Sequence, residues 1–183
     1  MLHLPTWIVA VVLVCGVPPA CAGDVFEGLG PELIGSELTV VLEGAELACR
    51  QDTADSSLRR CQPLPGALET LGGARITSAE ALFVNDRLAM VSIYFSDREF
   101  AKVRAHAVQK LGDGQDWTVT LRGGMNLGFK DQIVIWEKED LHALLQQFDR
   151  KIDRSSLIYG SPRAMAEAVK RIKATPAGGV RDL

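Results

Sequence analysis

The stretch "GGMNLGFKD", Gly123 to Asp131, has the residue types of a phosphate cradle: glycines five positions apart at Gly123 and Gly128, with a lysine close behind. A phosphate-binding loop requires the lysine directly after the second glycine, followed by Ser or Thr, so that an amine reaches the phosphates and a hydroxyl holds magnesium. Here Phe129 separates Gly128 from Lys130, and Asp131 stands where the hydroxyl would be. The apolar run "QIVIW" that follows reads as a strand, whereas the cradle needs a helix N-terminus. Met125 occupies the second glycine of a dinucleotide fingerprint. The expectation is a loop between two strands, with no nucleotide and no other cofactor.

Other chemistries also lack their residues. Nucleophilic catalysis by Ser or Cys calls for a histidine base, and beyond residue 22 only His106 and His142 are available. No Gly-x-Ser-x-Gly elbow occurs. Asp149, Asp153 and Ser155 in "FDRKIDRSSLIYG" are the nearest thing to a polar constellation, and a turn entering a strand accounts for them. The histidines are too far apart in sequence for a metal pair, and "DTADSS" and "EKED" lack the alternating acids and central glycine of a calcium loop. Glu137, Glu139 and Asp140 supply carboxylates for acid–base work, but an acidic turn explains them equally. No catalytic and no metal-binding residues are assigned. The residual enzyme reading places an unrecognised site near residues 122–136.

Two features survive this sifting. The first is Cys49 and Cys61, an even pair flanking the polar segment "RQDTADSSLRR" and read as a disulfide that staples a loop. A redox pair would want two-residue spacing. The second is aromatic: Trp117, Arg122, Met125, Phe129, Trp136 and Tyr159 bracket the glycine stretch and could form a partner-binding patch on one sheet face, with burial under a helix as the ordinary alternative.

The elements that must position these residues follow from periodicity. Leu38, Val41, Leu42 and Ala45 after Ser36 predict a short helix. "PLPGALETLGGARI" reads as a connection. "AEALFVNDRLAMVSIYF" predicts a hairpin turning at Asn85-Asp86, whose second strand has Ala89, Val91, Ile93 and Phe95 on one face. Ser96 with Glu99 is a capping box, and Phe100, Val103, Ala107, Val108 and Leu111 form the stripe of the helix it opens. "WTVTLRGG" alternates as a strand with Trp117, Val119 and Leu121 on one face. Residues 141–148 fit either a helix after Asp140 or the middle strand of a meander ending at "SSLIY"; the meander is preferred because it gives Trp136 partners without a crossover. Ser161, Pro162 and the stripe Met165, Ala168, Val169, Ile172 predict a final helix. The fold class expected is α+β: an antiparallel sheet of about five strands, helices on one face, one disulfide.

The front of the chain addresses compartment. "MLHLPTWIVAVVLVCGVPPACAGD" carries an apolar run of about ten residues, too short to span a bilayer, and ends in the small-x-small pattern Ala20-Cys21-Ala22. The expectation is a signal peptide at residues 1–22, a single domain at 23–174 and a tail at 175–183. Cleavage near Ala22 would leave a periplasmic or secreted protein with no transmembrane span. Acylation of Cys21 is the weaker alternative, since prolines precede it. The net charge of −3 offers no footprint for nucleic acid. It names no other partner and no oligomeric state.

With that order in view, "IGSELTVVLEG", the strand pair around "FVNDRLAMVSIYF" and "FAKVRAHAVQKLG" resemble uncharacterised small periplasmic proteins. The likeness is more distant to the small outer-membrane assembly lipoproteins (BamE/SmpA-like) and to β-lactamase inhibitor proteins. It covers residues 33 to 160 and implies protein binding through a sheet or its loops, with no catalytic residues. The chain departs from the assembly lipoproteins in lacking a good lipobox at Cys21. The functional expectation is an exported, non-enzymatic protein that binds another envelope protein or ligand by a sheet face.

Overall fold

The computed structural model describes residues 28–122 and 128–174. Its centre is a sheet of nine antiparallel strands in the order β1-β2-β4-β5-β11-β10-β9-β6, with β3 paired to one end of β4. The strands are β1 Leu47–Gln51, β2 Leu58–Pro63, β3 Thr70–Leu71, β4 Ala74–Val84, β5 Arg87–Ser96, β6 Gln115–Asp116, β9 Ile133–Lys138, β10 Leu141–Gln146 and β11 Arg154–Gly160. A separate two-stranded ribbon is formed by β7 Val119–Arg122 and β8 Gly128–Asp131. Three helices accompany them: α1 Leu38–Gly44, α2 Phe100–Leu111 and α3 Pro162–Ala174.

The sheet is larger than the five strands expected from periodicity. The extra strands lie where apolar alternation is absent. β1 and β2 occupy the ends of the presumed disulfide loop, which shrinks to a turn over residues 52–57. That turn is built by side chains that imitate backbone: Asp52 accepts from the Ala54 amide at 2.9 Å, and Asp55 from the Ser57 amide at 2.9 Å. Cys49 and Cys61 sit directly opposite each other in the β1–β2 register and are disulfide-bonded. The bridge therefore joins two strands rather than tethering a loop.

The β4–β5 hairpin turns where expected, with Asn85 and Asp86 both at positive φ (51° and 60°), the conformation a two-residue hairpin requires. A register shift between Leu82 and Phe83 sends Leu88 to the face of Val91, Ile93 and Phe95, and Ala89 to the opposite face. Ser96 caps a 3-10 turn that leads into α2, its Oγ accepting from the Arg98 amide, and Phe100, Val103, Ala107 and Leu111 are buried against the sheet. Residues 141–146 form strand β10, so the meander β9-β10-β11 stands.

The helices do not share one face. α1 and α2 pack on the side of Ala81, Phe83, Val91, Ile93, Leu145 and Tyr159. α3 lies on the other side, where Ala168 meets Leu58, Leu82, Val84 and Ala89. Its buried stripe is rotated from the one expected: Ala164, Ala168 and Ile172 face the sheet, whereas Val169 is 42% exposed. Ser161 caps it as predicted, accepting from the Ala164 amide. Among the described residues no helix is long and apolar enough to cross a membrane.

Candidate functional site

α3 packs on Leu58, Leu82, Val84 and Ala89 of β2, β4 and β5 and reaches β11 where Met165 adjoins Gly160, and the meander end of that sheet face carries apolar side chains outside both buried clusters. The register places them in rows. Ile135, Leu144 and Ile158 stand side by side across β9, β10 and β11, continued by Ser92 and Glu80. The next row runs Ile133, Gln146, Ser156, Tyr94 and Ser78. All four aliphatic residues and Tyr94 are half-buried. Strand geometry explains how the sequence makes this face: Leu141, Ala143 and Leu145 turn to the α2 core, so His142, Leu144 and Gln146 must turn the other way.

Polar side chains in contact with one another frame the strip. Arg60 Nη1 meets Glu80 Oε1 at 2.7 Å, His142 Nδ1 lies 3.6 Å from Glu137 Oε1, and Gln146 donates to the buried Asp131 at 2.8 Å. The Arg154 guanidinium stacks 4.9 Å above the Tyr94 ring. Ser156, fully buried in its row between Tyr94 and Gln146, has an Oγ with no hydrogen-bond partner among the described residues. An apolar centre with a polar rim is the anatomy of a protein interface.

The six residues of the anticipated patch separate. Trp117 is 59% exposed at the sheet edge, where its amide donates to the Ile133 carbonyl at 2.7 Å, so it extends the Ile133 row. Trp136 and Tyr159 belong to the core under α2, at 2% and 0% exposure. They occupy alternate positions facing the helix, the ordinary fate of strand aromatics, and are not surface residues. Trp136 is further fixed by donating Nε1 to the Gly112 carbonyl at 2.7 Å. Arg122 and Phe129 lie on the paired strands β7 and β8, but their side chains, and Met125 altogether, fall outside the described residues. The glycine stretch thus leads from one ribbon strand into another, β8, and then β9.

The polar candidates are occupied by structure. Ser155 Oγ donates to the Gln147 carbonyl at 2.6 Å, and Asp149 pairs with Arg154. His106 is half-buried against the β3–β4 turn, where a Cβ on Gly72 would come within 2.4 Å of its own Cβ. Glu137, Glu139 and Asp140 are exposed at the β9–β10 turn. Among the described residues no group of three His, Cys, Asp or Glu could hold a metal. The Asp116 carboxyl is held below its ordinary pKa chiefly by the Thr118 hydroxyl, a local turn contact. Sequence reasoning missed Ile133, Ile135, Leu144 and Ile158; the signal was present in the alternation of "QIVIW" and "LHALLQ", apolar on both faces.

The chain matches no protein-family model, no curated protein and no solved structure.

Proposed function

We propose that this is an exported, non-enzymatic protein that binds another cell-envelope protein through the open meander face of its sheet. The observation that supports this is the strip Ile135, Leu144, Ile158 and Ile133, with Tyr94 and Trp117 in the same rows. Such a surface gains from desolvation about 25 cal/mol per Å² on meeting an apolar partner. Arg60 and Glu80 beside it already neutralise each other, so the recognition is chiefly apolar, with Trp117 and Tyr94 as the residue types that most often anchor such contacts. The export signal at residues 1–22 and the Cys49–Cys61 disulfide both suit an oxidising compartment.

The test is photo-crosslinking in cells. A reactive side chain at Leu144 or Ile135 is expected to give one defined adduct with an envelope protein, while the same group at Ala105, exposed on α2, gives none. Identical adducts from all three positions, or no adduct together with turnover in a broad substrate screen, would return the reading to an enzyme near residues 122–136.

A further inference from the structure

A second surface lies on α3. In its 13 residues Arg163, Lys170, Arg171 and Lys173 stand against a single acid, Glu167, within a chain whose net charge is −3. Glu167 pairs with Arg171 at 2.7 Å, and Arg171 also reaches Asp55 at 3.7 Å. Arg163, Lys170 and Lys173 are exposed and form no ion pair among the described residues. Seven and three residues apart, they share the outward side of the helix. Helix stability does not account for all of them: Lys173 in the last turn suits the C-terminal end of the dipole, but Arg163 sits in the first turn, where a cation opposes it.

Apolar surface adjoins these cations on one flank, where Val169 is 42% exposed. On the other, an open cavity of about 420 Å³ is lined by Arg87, Arg163 and Glu167 together with Ala164 and the buried Val84 and Leu88. We infer that the outward face of α3 docks on an anionic phospholipid surface, its cations meeting phosphates while Val169 meets acyl chains. An acidic protein would complement the charge and leave Val169 unused.

The experiment is co-sedimentation of the mature chain with vesicles of equal parts phosphatidylglycerol and phosphatidylcholine, against phosphatidylcholine alone. Binding is expected only to the anionic vesicles, weakened by salt. Each removed cation should cost about fivefold, so the triple variant R163A/K170A/K173A should bind on the order of a hundredfold more weakly. Because these side chains are exposed, its far-ultraviolet dichroism and unfolding midpoint should match the parent, which separates lost docking from lost fold. V169D should weaken vesicle binding as well. Unchanged sedimentation of the triple variant, equal retention on neutral vesicles, or polyglutamate binding as tight as that of anionic vesicles would each overturn the inference, the last in favour of an acidic protein partner.

Discussion

Cys61 is fully buried in the core row with Ala81, while Cys49, opposite it on the edge strand, is exposed. The bond between them holds a strand of five residues whose side chains contribute little burial of their own. With a sequence separation of 12, loop closure predicts that Cys49→Ser lowers the unfolding free energy by about 3 kcal/mol. Amide exchange should accelerate first in β1 and β2, and equal loss of protection across the whole sheet would argue against a local staple. The pairing was legible from counting cysteines. Its geometry was not, because "LACRQ" and "LRRCQP" show no apolar alternation from which strands could be inferred. The tryptophans show the same limit: Trp136 and Trp117 look alike in sequence, and only the position of α2 over β9 decides that one is core and the other edge.

At the scale of elements, α3 is tied to the β1–β2 turn by Arg171, which meets both Asp55 and the Ser57 hydroxyl. The Asp55 carboxyl is held below its ordinary pKa, first by the Ser57 hydroxyl and amide and then by Arg171, against the opposing effect of desolvation. A carboxyl lowered in the folded state stabilises that state above the unfolded pKa and loses this contribution as pH falls through the folded value. Protease protection of residues 162–174 should therefore decline in acid, below the ordinary aspartate range, and Asp55→Asn should remove that step at every pH. An unchanged acid profile in the Asn variant would assign the effect to other carboxyls. Helix signals were the most readable part of this chain: Ser161 caps the helix it was expected to cap, while Ser96 caps the 3-10 turn that leads into α2 and not α2 itself. The final stripe was read one flank out, because helical spacing accommodates Val169 or Ala164 and the sheet selects between them.

At the scale of the whole fold, α1 and α2 cover one face of a wide sheet, and among the described residues α3 takes only part of the other. That asymmetry, invisible to any local pattern, creates the open meander face and makes neighbouring residues on one strand unequal. Leu145 is fully buried toward α2, and Leu144 is half-buried on the open side. The most direct measurement is the unfolding free energy of Leu144→Ala beside Leu145→Ala. The open-face account predicts a loss of roughly 1 kcal/mol or less at Leu144 and about 2–5 kcal/mol at Leu145. Equal, large losses at both positions would show that Leu144 is interior and that no apolar face is left for a partner.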